Sequence, residues 1–184
     1  LVDVVRERAI GEAMDVETAA YALGKDVVVK GGGYELMDGC NVVVVTAGEP
    51  RSADMSRLDL AEVNMGVIRK VVNEIEKRCR DCVMVVVTNP VDVLVYYASK
   101  ISKRPRGRIF GIGSSHDTAR LVKRVGKDVI VIGEHGDGMI AVTRKRVRNL
   151  EKALRDVRVE GSRIIRMKGG TWYAPAACVA DAVK

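Results

Sequence analysis

The apolar positions of this chain fall into runs whose spacing switches between that of a buried strand and that of a helix. Leu1-Val2-Asp3-Val4 reads as the end of a strand, and from residue 6 to about 23 the stripe Ala9, Ile10, Ala13 and Met14 predicts a helix. A short strand is expected over 26–30, stopped by Gly31, Gly32 and Gly33. Residues 41–46 form an uninterrupted β-branched strand that ends in Ala47-Gly48. Leu60, Val63, Val67, Val71 and Ile75 keep helical spacing through 57–78, and a third strand over 82–88 is closed by Asn89-Pro90.

Further along, 111–120 is a glycine-rich entry to a helix, and 129–132 is a strand leading into Gly133-Glu-His-Gly-Asp137. Residues 145–166 form a charged helical stretch expected to break near Gly161, and 168–175 is a turn into a last helix of small residues. Strands alternating with helices, with glycine or proline at the strand ends, predict a doubly wound α/β sheet. Ligands of such sheets sit at the carboxyl ends of the strands. Three of those ends carry Asp3, Thr46-Ala47-Gly48 and Thr88-Asn89-Pro90, where a nucleotide is expected.

Composition narrows the picture in three ways. Aromatic residues are only 4% of the 184, so the core is built from Val, Ile, Leu, Met and Ala, a mixture suited to the buried strands of a parallel sheet. The excess of 31 basic over 24 acidic residues, +7 in all, would suit a polyanion, yet no basic run is interleaved with aromatics and no nucleic-acid-binding signature occurs. We therefore expect no nucleic-acid partner and assign the charge to drawing in a small anionic substrate and cofactor. Finally, no stretch approaches the roughly 18 apolar residues of a membrane helix. No membrane association is expected, and four cysteines without a disulfide framework fit a reducing cytoplasm. Cys79-Arg-Asp-Cys82 has the spacing of a redox pair or half a zinc site, but no second pair of ligands accompanies it, so it is read as chance spacing and no metal is expected.

Candidate chemistry lies in seven short motifs that follow one another in order: Leu-Val-Asp at 1–3, Thr-Ala-Gly-x-Pro-Arg at 46–51, Met-Ser-Arg at 55–57, Thr-Asn-Pro-Val-Asp at 88–92, Asp-x-Ala-Arg at 117–120, Gly-Glu-His-Gly-Asp at 133–137 and Tyr-Ala-Pro-Ala-Ala at 173–177. Each stands at a strand end or a helix start. Together they resemble the lactate/malate dehydrogenase family, above all its lactate-dehydrogenase-like malate dehydrogenases, over nearly the whole chain. The resemblance implies a Rossmann-type, mostly parallel sheet over 1–104 and an α+β substrate domain over 105–184.

The resemblance also implies roles. His135 is the acid/base that exchanges a proton with the substrate oxygen, and Asp117 is the carboxylate that orients it. Arg120 is the clamp for the substrate carboxylate, since a guanidinium can grip an acid group through two parallel hydrogen bonds. Arg57, on a mobile loop, polarises the reacting carbonyl; a cation at a helix start opposes the dipole, which favours such a role. Arg51 pairs with a second carboxylate and so points to malate rather than lactate. Asn89 hydrogen-bonds substrate and nicotinamide side, and Thr171 lines the substrate pocket. Asp3 accepts both adenosine ribose hydroxyls, which prefers NAD over NADP. Thr46, Ala47, Gly48, Asn64, Val87 and Thr88 complete the cofactor contacts.

The expected function is an NAD-dependent malate dehydrogenase acting on a small dicarboxylate as a homodimer or homotetramer. The alternatives are an L-lactate or other 2-hydroxy-acid dehydrogenase and an inactive relative serving as a binding or assembly subunit. The family's first strand and G-x-G-x-x-G phosphate loop are expected before Leu1 and its last strands and helix after Lys184, so both domains read as incomplete here. The stretches 117–135 and 135–171 are also shorter than the family's. His116 stands where an aliphatic residue is common, and a surface position is its default.

Overall fold

The computed structural model describes residues 1–50 and 55–184. Among them, α1 (Arg6–Ala22) leads through a 3₁₀ turn at Tyr34–Met37 into β1 (Val42–Val45). Two right-sized crossover units follow: α2 (Arg57–Arg78) joins β1 to β2 (Val83–Val86), and α3 (Val91–Ile101) joins β2 to β3 (Ile109–Gly111). The three strands are parallel, in the order β1-β2-β3. This is a Rossmann-like parallel sheet with helices. Its third strand lies at 109–111.

Register explains which residues are core. Val43, Met84 and Ile109 lie in one row, Val45, Val86 and Gly111 in the next. Successive side chains alternate between faces, so both rows face α2 and α3 and enclose a cluster with Ile68, Val72, Ile75, Leu94 and Ala98. Gly111 ends its row because α3 presses on the strand there: a Cβ would lie 2.8 Å from Val91 Cγ2 and 2.9 Å from Val95 Cγ2. The opposite face, with Val44, Val85 and Phe110, is buried only at its centre, Val85.

The helix α2 begins with a capping box. Asp59 N donates to Ser56 Oγ at 3.1 Å while Ser56 N donates to Asp59 Oδ2 at 2.9 Å. These two bonds satisfy orphan amides at the start of the helix. The buried stripe is Leu60, Ala61, Asn64, Ile68, Val71, Val72 and Ile75; of the expected positions Leu60, Val71 and Ile75 belong to it, Val67 is half-buried and Val63 is exposed. In α1 only Ala9 and Ala13 of the expected stripe are buried, whereas Ile10 and Met14 face solvent. Small residues are needed there because the helix backbone comes so close that a Cβ on Gly31 would overlap the Ala9 carbonyl.

The strand expected over 26–30 does not form a ladder. Val29 N donates to Glu17 Oε1 at 2.9 Å instead, and Val27 and Val28 are exposed. Pairing is confined to a parallel bridge between Val2 and Gly32, with Asp3 N donating to Gly32 O at 3.2 Å.

A second unit follows. The helix α4 (Gly113–Val125) leaves the carboxyl end of β3, β4 (Val129–Gly133) pairs antiparallel with β5 (Met139–Thr143), and α5 (Leu150–Lys168) covers the hairpin. Leu121, Val129, Val131, Met139, Ala153, Leu154 and Val157 form its separate apolar cluster. The last helix, α6 (Tyr173–Val183), rests on α4. The break expected at Gly161 is not present, and α5 begins at Leu150 rather than near 145. An isolated glycine weakens a helix by only about 1 kcal/mol, which packing against α4 and β5 offsets.

The Cys79/Cys82 pair belongs to the first core. Both thiols are buried, and burial with the neighbouring Cys82 pushes the Cys79 thiol up to about 12, so it stays protonated and inert. Arg104, itself buried, closes this corner. Its Nε donates to Cys82 O at 3.1 Å, its Nη2 to Cys79 O at 2.5 Å and its Nη1 to Glu76 Oε1 at 2.5 Å. A cation on the carbonyl of Cys79, the C-cap of α2, also matches the negative end of the helix dipole. Among the described residues no group of three or more His, Cys, Asp and Glu side chains is placed to hold a metal ion, and no helix is long and apolar enough to cross a membrane.

Candidate active site

The carboxyl ends of the parallel strands open onto one edge, and buried polar side chains fix their loops. Thr88 Oγ1 donates to Ala47 O at 2.7 Å, which locks the end of β2 to the end of β1. Asn64, fully buried on α2, receives Glu49 N on its Oδ1 at 2.7 Å and donates through Nδ2 to Glu49 O at 3.2 Å and Asn89 O at 2.8 Å. Both polar atoms of the Asn64 amide thus have partners, as burial on an apolar helix face demands. Gly48 must be glycine: a Cβ would overlap Thr88 Cγ2. Thr46, Ala47, Gly48, Val87, Thr88 and Asn89 therefore form one braced rim, and Asn64 serves it as a brace with its amide wholly engaged inside. The Asn89-Pro90 bond is cis.

The second group lies where α4 meets the turn after β4. His135 Nδ1 is 2.6 Å from Asp117 Oδ2, and Arg120 Nη1 donates to Asp117 Oδ1 at 3.4 Å. Asp117 is 1% exposed and Arg120 9%, and the His135 ring remains partly open. Asp117 and Arg120, three residues apart, project from the same side of α4. Two contacts bring the hairpin to them. A Cβ on Gly113 would lie 2.6 Å from His135 Cβ, so only glycine lets the turn approach. His135 N donates to Asp92 Oδ2 at 2.7 Å, which ties the turn to the start of α3.

A carboxylate on Nδ1 holds the Nδ1–H tautomer and leaves Nε2 to exchange a proton. The 3.4 Å contact is loose, and a guanidinium carries five N–H donors, enough to take a second acid group alongside Asp117. Above it α5 supplies Gly161, whose absent side chain leaves the guanidinium uncrowded: a Cβ there would stand 3.4 Å from Nη2.

Not every expected site residue joins these groups. Asp3 follows the Val2–Gly32 bridge, half-buried, with Oδ1 receiving Val5 N at 2.9 Å. Thr171 is half-buried in the link between α5 and α6. Arg57 is the first residue of α2. Arg51 lies outside the described residues.

Two participants, Asp92 and Gly113, were not singled out from sequence, and His116 was placed at the surface. Asp92 has a signal, an acidic residue in the first turn of a helix within Thr-Asn-Pro-Val-Asp. Gly113 has none beyond a glycine-rich helix entry. His116, expected at the surface, is instead 6% exposed beside His135. Burial, then the Arg120 charge, pushes its imidazole down to about 4. A base whose folded value lies below its unfolded value of 6.5 subtracts stability as pH falls. The unfolded chain takes up the proton first, so the loss begins near pH 6.5 and is complete near pH 4. It amounts to about 3 kcal/mol. We expect His116→Leu to flatten the fall in urea-unfolding free energy between pH 7.5 and 4.5 by that order, and an unchanged pH dependence would remove this account.

The molecule thus carries a parallel α/β sheet with a braced rim at the carboxyl ends of its strands and an imidazole–carboxylate–guanidinium group on α4 and the β4–β5 turn. Residues 1–111 match the family described as lactate/malate dehydrogenase, NAD binding domain. The chain is 36% identical over 198 residues to malate dehydrogenase of Archaeoglobus fulgidus, covering 100% of this chain and 67% of the relative. It is 34% identical over 212 residues to L-lactate dehydrogenase of Clostridium botulinum strain Langeland, covering 100% and 66%. The solved structure of the Archaeoglobus fulgidus malate dehydrogenase in complex with NADH superposes with a TM-score of 0.90 at 36% identity, over 100% of this chain and 67% of that one. The chain belongs to the lactate/malate dehydrogenase family, and residues 1–111 are its NAD-binding domain. It spans about two thirds of the length of these relatives.

Proposed function

We propose that the protein is an NAD-dependent malate dehydrogenase in which His135 and Asp117 form the acid/base pair. The observation that carries this reading is the 2.6 Å contact between His135 Nδ1 and Asp117, with Arg120 on the other oxygen of the same carboxylate. The residues fit a dinucleotide: Asp3 offers a carboxylate for the ribose hydroxyls at a strand end, and the rim formed by Thr46, Ala47, Gly48, Val87, Thr88 and Asn89, braced by Asn64, offers fixed backbone. NAD, when bound, supplies or accepts the hydride.

The protein's own residues do the rest. Arg120 grips the carboxylate next to the reacting carbon, and Arg57 polarises the carbonyl. His135 Nε2 gives its proton to the carbonyl oxygen during reduction and takes it back during oxidation. Throughout, Asp117 holds the ring and offsets the charge of the imidazolium. Asn89 bonds the substrate, Thr171 bounds the pocket and Arg51 pairs with the distal carboxylate. A monocarboxylate would leave that arginine without a partner, which makes discrimination large. The working form is a cytoplasmic homodimer or homotetramer.

The test is NADH oxidation by the full-length protein with oxaloacetate and with pyruvate. Oxaloacetate is expected to be preferred, and Arg51→Gln is expected to reverse or erase that preference, a change in the kcat/KM ratio of about 100-fold or more. The second reading, an L-lactate dehydrogenase, is favoured by the 34% identity to such enzymes; it wins if the unaltered protein prefers pyruvate.

A further inference from the structure

The proposed reaction leaves one buried titratable ring unused. His116, on α4 next to Asp117, lies with its ring centroid 6.2 Å from that of His135 and the two planes 21° apart. Its Nε2 is enclosed and has no hydrogen-bond partner among the described residues. The charged and titratable groups around it are Arg120 and Asp117 on its own helix, His135 on the β4–β5 turn and Glu160 on α5. A buried polar atom left unpaired costs about 1–3 kcal/mol, so hydrogen bonding at this nitrogen does not explain a histidine here. Its flat shape does.

The bond to Asp117 fixes one atom of the His135 ring but not the ring plane. A ring held at one nitrogen can still tilt, and tilting swings Nε2, the atom that must face the substrate oxygen. A second planar ring at 6.2 Å, within the 4.5–7 Å range of paired aromatic rings, opposes that motion.

We propose that His116 is a positioning residue that sets the ring plane of His135 by stacking, and so aims the acid/base nitrogen. The proposal rests on the dehydrogenase reading for its kinetic consequence, but not for its geometric one. In the full-length protein, His116→Ala is expected to lower kcat for oxaloacetate reduction by about tenfold, because small misplacements of a reacting group are costly. KM, governed by Arg120, is expected to change less than about twofold. His116→Phe restores a flat ring without nitrogen and is expected to return kcat to within about threefold of the unaltered protein.

The second readout is the Nδ1–H resonance of His135 in nitrogen-edited NMR spectra. It is expected to be sharp in the unaltered and Phe proteins and broadened in the Ala protein. A folded Phe variant as slow as the Ala variant overturns the proposal, as does an Ala variant with unaltered kcat. If the extra bulk of Phe prevents folding, the resonance of the Ala variant decides. If the unaltered protein oxidises no NADH with either 2-oxo acid, the dehydrogenase reading fails; a sharp His135 signal in the Ala protein is then the result that removes stacking.

Discussion

His135→Asn is expected to lower kcat/KM for oxaloacetate reduction by about 10³–10⁴-fold, the upper range for loss of a positioned general acid. The replacement keeps an N–H that can reach Asp117, which lies 2.6 Å from the present ring nitrogen, but removes Nε2. Because Asp117 keeps a hydrogen-bonding neighbour, stability is expected to stay within about 1 kcal/mol. NADH binding, followed by fluorescence, is expected to be unchanged, since no cofactor-rim residue is touched. Steady-state kinetics with residual activity above a tenth of the starting value would take the acid/base role away from His135.

Asp117→Asn attacks the same pair from its other side and is expected to do more damage to the fold. Asp117 is the single acidic side chain that contacts both His135 and Arg120 among the described residues, and it is 1% exposed. An amide keeps the volume but carries no charge, so the Arg120 guanidinium, 9% exposed, loses its counter-ion in a dry setting. Breaking a buried ion pair from one side costs about 3–5 kcal/mol. On the proposed mechanism the imidazolium also loses its stabilising anion, and the amide can present its NH₂ to Nδ1 and select the wrong tautomer. We expect kcat to fall by about 10²–10⁴-fold. Chemical denaturation and steady-state kinetics on the same sample separate the two effects. A variant as stable as the original would mean that Arg120 finds its main partner elsewhere.

The parts legible in the sequence are those where one physical signal dominates. The four valines of β1 and the long apolar repeat of α2 declare themselves because burial on one face sets their spacing. His135, Asp117 and Arg120 were identified through motif order, and the structure brings them together. What was not legible depends on tertiary partners. The helix α3 carries Val-Asp-Val-Leu-Val-Tyr-Tyr, a β-branched and aromatic run that propensity assigns to a strand. It is helical because Val91, Leu94 and Ala98 then face the sheet. The segment 26–30 fails in the other direction: its valines suit a strand, but among the described residues the only bridge nearby is Val2–Gly32, and Val29 N bonds the Glu17 side chain instead. Asn64 illustrates the same limit, since a polar residue within a buried stripe makes sense only once the loops it joins are in place.

The two apolar clusters of the molecule share no residue. His135 stands at their seam, with its main-chain N–H on Asp92 of α3 and its ring on Asp117 of α4. An imidazole moored to both banks of such a seam registers any slip between them as a displacement of its outer nitrogen. Core substitutions far from the chemistry, in either cluster, would then surface as altered turnover before they surface as lost cofactor affinity.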